Sequence, residues 1–379
     1  MRVVFIRSNP VSPYPRLEKT ANSLGKAGHN GQVLAWDRSK KYNQEKSILE
    51  LKDSNIPITR FGIPGKFGGG FKSNSIPLLK FQMKIFLWLI KNRNRYDVIH
   101  AYDFDTGYIS MKSAKLLNKK LVYDIPDYYV DSHNLKNTKI GNFVEKMEKK
   151  VINYASSVII CTEKRKEQIK GSNPKNLTIV HNSPLPITKS KYDGSKFCIF
   201  SKKLKIVYVG ILSDERFIKE IAEVVVNRND CEFHVAGFGK LEVYFKEMCS
   251  KYENIYFYGK IPYNETLELE SKCDLITAIY DPKIPNHYYA APNKFYESLM
   301  LGKPIIMAKN TGMDDIVEKY GIGEVIEYSK QSLEVAIDNL IEKRNDWKNI
   351  AEISQKIYNN NYSWSEMERR LINLYEKIK

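Results

Sequence analysis

Short apolar runs rich in Val, Ile, Leu and Tyr alternate with longer stretches whose apolar residues recur at helical spacing, and this pattern predicts a parallel α/β architecture. In the first half the predicted strands are Arg2–Ile6, Gln32–Ala35, Val98–Ala101, Leu121–Tyr123, Ser157–Cys161 and Thr178–Val180. Helical patterns lie between them, as over Arg16–Lys26 and Asn142–Tyr154. A second run of alternation has strands at Leu204–Val209, Glu232–Ala236, Asn254–Tyr258 and Asp274–Tyr280. Arg216–Val226 and Asn293–Leu301 read as helices, the latter leading to strand Pro304–Ala308, and a last helix spans Trp364–Lys379. Between the two runs, Ser183–Lys203 loses periodicity and collects Ser, Pro, Lys and Gly, as an interdomain linker does. The 379 residues suit two domains. Two doubly wound units would face a cleft lined by strand C-terminal ends, where ligands bind in open α/β sheets.

Composition narrows the setting. Hydrophobic residues at 42% and charged residues at 27% are those of an ordinary globular protein. The cysteines, Cys161, Cys198, Cys231, Cys249 and Cys273, are scattered without CxxC pairing. That argues against a disulfide framework or a zinc site and for a reducing, cytoplasmic location. The N-terminus enters a strand-like run with no leader pattern, and no apolar stretch approaches the ~20 residues of a membrane-spanning helix. A soluble or peripheral protein is expected.

The net charge of +16 is unevenly placed. Residues 1–200 hold 35 Lys+Arg against 16 Asp+Glu, whereas 201–379 hold 25 against 28. A basic half can meet nucleic acid, an anionic membrane or a phosphorylated substrate, and charge alone does not choose. No aromatic–basic recognition motif favours nucleic acid. In Leu79–Lys91 the residues Lys80, Lys84 and Lys91 share one helical stripe and the remainder is nearly all apolar. Such a helix either packs on the N-terminal sheet or seats the basic half on anionic lipid at the inner face of the cytoplasmic membrane, where each Lys is worth ~1 kcal/mol.

The segment with most chemistry is Ala291–Ala308, APNKFYESLMLGKPIIMA. Pro292 and Asn293 start a helix, Gly302 stops it, and Lys303–Pro304 turns into a buried strand. Glu297, one turn in, can accept two hydroxyl hydrogen bonds from a ribose. Lys294 in the first turn can join free backbone N–H groups in neutralising a pyrophosphate. A plain amphipathic helix with a surface Glu is the plainer alternative.

Here the chain resembles the family 4 glycosyltransferases, whose donor signature is Glu, seven residues, Glu-Ala, a small or apolar run, then Gly-[KL]-Pro-[VI]-[VI]. Glu297 and Gly302–Lys303–Pro304–Ile305–Ile306 match it, while Tyr289 stands where the first, sugar-contacting Glu would be. Pro292–Asn293–Lys294 is similar to a branch with that turn. Ile206–Gly210 and the following ILSDER resemble the family's phosphate-binding opening, with Arg216 at its Lys position and Ile211 at its Arg position. Gly237–Phe238–Gly239 and Tyr258–Gly259–Lys260 resemble its glycine turns, though each also reads as a simple strand-ending turn. In the first half the loop Ser8–Arg16 replaces the family's Gly-Gly turn, leaving Tyr14 and Arg16 as acceptor-side candidates. Asp97–Val98–Ile99–His100 resembles a strand end that would bring His100 to the cleft, with a structural His as the alternative. Lys120–Tyr128 resembles a strand ending in Asp-x-His-[DE], with Asp124 and Asp127 as polar candidates and Pro126 at the His position. The glycine-rich Gly62–Gly70 lacks a trailing GK[ST] and reads as a mobile acceptor-side loop rather than a phosphate cradle.

What the resemblance implies is a GT-B fold with residues 1–190 and a returning helix 362–379 on the acceptor side, and 191–361 holding the donor. It implies transfer of a sugar from a UDP- or GDP-sugar to a hydroxyl of a glycan or polyprenyl-linked glycan, in surface polysaccharide or glycoconjugate synthesis. Retention, no cofactor and no required metal are implied with it. On that reading Gly210, Arg216, Gly237, Gly259, Tyr289, Asn293, Lys294 and Glu297 are donor-binding, and Asp127 and His100 catalytic. A nucleotide-sugar epimerase of the same fold, or an inactive sugar-nucleotide-binding partner subunit, is the alternative.

Overall fold

Two parallel sheets organise the chain, each with its own apolar core. The computed structural model describes residues 1–66, 70–186, 197 and 199–379, and of residues 70–72 it describes the backbone alone. Most of the expected linker, the expected 190/191 boundary and part of the glycine-rich loop lie outside the described residues. Contacts divide the chain into one unit of Met1–His181 with Met367–Lys379 and a second of Asn182–Glu366.

The first unit holds β1 (Arg2–Arg7), β2 (Asn30–Asp37), β3 (Glu45–Glu50), β4 (Asn55–Gly62), β5 (Val98–Tyr102), β6 (Lys120–Ile125), β7 (Ser157–Ile160) and β8 (Leu177–Ile179). Their order is β3-β4-β2-β1-β5-β6-β7-β8, parallel throughout except β3 on β4. The central strands are buried on both faces, which is why they read as continuous apolar runs. The edge pair β3–β4 is absent from the sequence expectation. Its residues are half exposed, charged and interrupted by Pro57, so they carry a weak strand signal.

Helix α1 (Pro15–Lys26) connects β1 to β2, while α2 (Gly70–Lys91), α3 (Asp103–Leu117) and α4 (Lys139–Tyr154) follow β4, β5 and β6. Right-handed crossovers running the other way along the sheet place these three on one face, where α2 packs on α3 and α3 on α4. Phe81, Ile85 and Leu89 anchor α2 in the core, Phe81 stacking on Trp36 at 5.3 Å.

The second unit holds β9 (Leu204–Ile211), β10 (Cys231–Phe238), β11 (Ile255–Phe257), β12 (Leu275–Ala278), β13 (Ile305–Ala308) and β14 (Gly323–Ile326), all parallel in the order β11-β10-β9-β12-β13-β14. Its helices include α5 (Ile218–Val226), α6 (Tyr263–Lys272) and α7 (Asn293–Leu301). The helix expected to begin at Arg216 begins two residues later. Phe217, buried against Tyr328, adopts a left-handed φ of 57°, so Arg216 instead ends a 3-10 turn over Asp214–Arg216. The last helix, α8 (Trp364–Lys377), belongs from Met367 onward to the first unit.

Candidate functional site

The C-terminal ends of β9 and β10 open onto a cavity of about 350 Å³ in the second unit. Gly210 and Gly237 lie opposite each other in register there. Gly237 has a φ of 144°, and a Cβ on it would stand 1.8 Å from the Gly210 carbonyl oxygen. A Cβ on Gly210 would stand 2.9 Å from Lys294 Nζ. Bare backbone at these two positions lets the strands close up and lets the Lys294 ammonium descend onto the strand end.

Lys294 and Glu297 come from the first turns of α7, whose following Gly302 takes the left-handed cap at φ 66°. Both are buried. Lys294 Nζ lies 4.4 Å from the centroid of the Tyr208 ring, and the Arg216 guanidinium lies 4.0 Å from that of Tyr280. Two cations thus rest on two aromatic faces, which hold them without neutralising them. Arg216 Nε is buried and makes no hydrogen bond to the described protein, leaving a donor for a ligand. Glu297 Oε1 accepts a hydrogen bond from Tyr263 Oη at 2.9 Å.

Glu270 on α6 is fully buried, and neither carboxyl oxygen has a hydrogen-bond partner among the described residues. Burial, then the charge of Glu297, push its pKa well above the carboxylate range against the opposing pull of Lys294. That favours the protonated form of Glu270. Burial works against the Lys294 ammonium, yet the surrounding tyrosines and the Glu297 and Glu270 carboxyls leave its pKa raised. The site can therefore offer fixed positive charge at the strand ends and a carboxylate acceptor one helical turn away.

Gly210, Arg216, Gly237, Asn293, Lys294 and Glu297 thus line one cavity, as does the uncharged Ile211. Gly259 stands behind it, its carbonyl accepting from Gly237 N at 2.7 Å, while its neighbour Lys260 faces the cavity. Tyr289 is not among the lining residues and packs edge-on to Tyr288 at 4.9 Å. Tyr208, Tyr263, Tyr280 and Glu270 escaped the sequence reading, because a Tyr in a strand or a Glu on a helix carries no signal until the fold supplies its neighbour.

In the first unit the five candidates, Asp124 among them, separate. His100, expected near the reacting centre, is fully buried, with Nδ1 2.8 Å from Tyr375 Oη of α8. Burial lowers its pKa despite Asp124 nearby. Arg16, expected on the acceptor side, is buried as well, gripping Asp124 through Nε and Nη2 at 2.9 and 2.7 Å and donating from Nη1 to Val180 O. Both belong to a structural cluster that ties α1, β5, β6 and α8 together. Tyr14 meets Tyr102 edge-on at 5.9 Å beneath the Arg7 guanidinium. Asp127 alone reaches a cavity, of about 520 Å³, where its carboxylate accepts from Arg165 at 2.9 Å. That cavity sits at the ends of β1, β2, β5 and β6 beside the Arg7–Asp103 ion pair, Arg38, Asp105 and His133.

Residues 194–363 match the family model described as Glycosyl transferases group 1, so this segment carries a glycosyltransferase group 1 domain. No curated protein sequence matches the chain. Among solved structures it is similar to sucrose-phosphate synthase from Thermosynechococcus elongatus, at 13% identity and a TM-score of 0.77, covering 100% of this chain and 99% of that one. Anabaena HepE in complex with UDP gives 14% identity and a TM-score of 0.72 over 99% and 100% of the two chains. WaaG, a glycosyltransferase involved in lipopolysaccharide biosynthesis, gives 14% and 0.67 over 98% and 99%. At such identities these likenesses show the fold, which is GT-B, with two Rossmann-like parallel sheets.

Proposed function

Proceeding from a glycosyltransferase group 1 domain on a GT-B fold, we propose that the chain transfers a sugar from a nucleoside diphosphate sugar to an acceptor hydroxyl. The observation that carries this reading is the convergence of Arg216, Lys294 and Glu297 on one cavity floored by Gly210 and Gly237. The donor's diphosphate lies against Lys294, Arg216 and the backbone amides at the start of α7. Its ribose hydroxyls bond Glu297. UDP in the HepE complex favours a uridine donor over a guanosine one.

The reaction breaks the bond between the anomeric carbon and the diphosphate oxygen and forms one from that carbon to the acceptor oxygen. Charge develops on the departing diphosphate, and Lys294 and Arg216 are already in place to meet it, so little reorganisation is needed. In the retaining course the diphosphate itself accepts the hydroxyl proton, and no side chain acts as base. That course is consistent with His100 being committed to Tyr375. The acceptor is a glycan or lipid-linked glycan, and the first unit's cavity with Asp127 is its assigned place.

Thermal unfolding with UDP, GDP and ADP tests the donor reading. A ligand at 100 times its dissociation constant adds ~2.7 kcal/mol, and UDP is expected to do so. If none of the three raises the melting temperature of the intact chain, the reading is wrong.

A further inference from the structure

The cavity at the strand ends of the first unit differs in charge from the unit around it. Residues 1–200 hold 35 Lys+Arg against 16 Asp+Glu. The fixed charges on the cavity wall, by contrast, are Asp37, Asp103, Asp105 and Asp127 against Arg7 and Arg38. They come from separate parts of the chain: Asp37 ends β2, Asp103 and Asp105 open α3, and Asp127 follows β6. Two of the carboxylates are answered by cations, Asp103 by Arg7 and Asp127 by Arg165. The other two are not. Asp37 accepts from the Ser39 amide at 2.9 Å and the Tyr42 hydroxyl at 3.0 Å, and Asp105 accepts from Ser8 Oγ at 2.8 Å. Neither makes an ion pair among the described residues.

Arg38 is the reverse case, a cation with no ion pair among the described residues. Its guanidinium lies 4.2 Å from the centroid of the Trp36 ring, and Nη2 donates to the Ser8 carbonyl at 3.0 Å. These contacts fix the group and leave N–H donors unused, Nε among them. Burial lowers the Arg38 pKa and the Asp105 charge opposes that fall, so the two groups feel each other across the cavity. A hydroxyl both donates and accepts, so the neighbouring hydroxyls of a sugar suit a wall that sets carboxylate acceptors beside a fixed guanidinium donor. We infer that this cavity selects an acceptor sugar with no acid group of its own, Asp37 and Asp105 accepting from its hydroxyls and Arg38 donating to them. A uronate or a sugar phosphate could pair with Arg38 only by coming up against Asp37 and Asp105, two repulsions for one attraction. The inference rests on the assignment of this cavity to the acceptor, and it sets the lysine and arginine excess of the unit outside the cavity.

The intact chain is saturated with UDP, and the methyl hexosides of glucose, galactose and mannose are titrated against it by saturation-transfer NMR, beside the matching uronates and 6-phosphates. At least one methyl hexoside is expected to bind, about tenfold or more tighter than its own uronate and 6-phosphate. D37N/D105N is expected to narrow that preference about tenfold, because the repulsion of the acid group goes with the two charges. R38Q is expected to weaken the uncharged hexoside about tenfold without improving its uronate. Stabilisation by UDP stays that of the parent in both variants, which shows them folded. A uronate or 6-phosphate that binds as tightly as its hexoside, a preference untouched by D37N/D105N, a hexoside affinity untouched by R38Q, or binding of no hexoside at all overturns the inference. A parent that UDP does not stabilise sinks the donor reading instead, and the ranking of the saccharides is then read without UDP.

Discussion

Tyr263 Oη donates a hydrogen bond of 2.9 Å to Glu297 Oε1 inside the cavity of the second unit. The two residues sit on different helices, α6 and α7, so the bond fixes the carboxylate's orientation. Burial and the Glu297 charge both raise the Tyr263 pKa, so the phenol stays a donor. Tyr263→Phe is expected to weaken UDP binding about tenfold, the usual worth of a hydrogen bond to a charged group. Binding to the bare nucleobase should change far less. Calorimetry with UDP and with uracil checks both, and equal affinity of parent and variant for UDP would show that Glu297 needs no such support.

Lys294 is assigned to the diphosphate. Lys294→Met is expected to cut the preference for UDP over uridine by about tenfold, since a charge-assisted contact is lost from UDP alone. Arg216→Gln should do the same with less effect on stability, because Arg216 is half exposed and Lys294 is buried. A preference left intact in both variants removes the assignment.

Two glycines at the strand ends should respond differently. Gly237→Ala puts a methyl 1.8 Å from the Gly210 carbonyl oxygen and is expected to cost about 3 kcal/mol or more. Gly259→Ala has the same backbone problem at φ 65° but open space around the Cβ, so about 1–2 kcal/mol is expected. Chemical denaturation ranks them, and a larger loss for Gly259→Ala would contradict the packing described.

Glu148, fully buried on α4, accepts from Tyr123 Oη at 2.7 Å, and burial pushes its pKa up to about 8. The folded chain therefore keeps a proton that the unfolded chain releases near 4.5. Its effect on stability is nil below that value and grows as a loss while pH rises toward about 8. Glu148→Gln is expected to gain roughly 3 kcal/mol at pH 7 relative to the parent, and nothing at pH 4. Denaturant midpoints at the two pH values check this; a gain independent of pH would mean that Glu148 is ionised when folded.

Periodicity alone determined the parallel α/β class, most strand positions and the helix of Lys294 and Glu297 with its Gly302 stop. Apolar runs, caps and glycine turns act over a few residues, and the code for them is local. The tertiary structure decided what each polar side chain does. His100 and Arg16 sit at sequence positions suited to a reacting centre, yet Tyr375 of helix α8, more than 270 residues along the chain, bonds the first, and Asp124 of β6 engages the second. The same distant packing set Tyr208 beneath Lys294, Tyr280 beneath Arg216 and Tyr263 against Glu297. It also left Ile76, Leu79, Met83 and Leu87 of α2 exposed while burying Phe81, Ile85 and Leu89 of the same apolar stretch. Burial and partnership depend on residues far apart along the chain, and neither is written in the spacing of near neighbours.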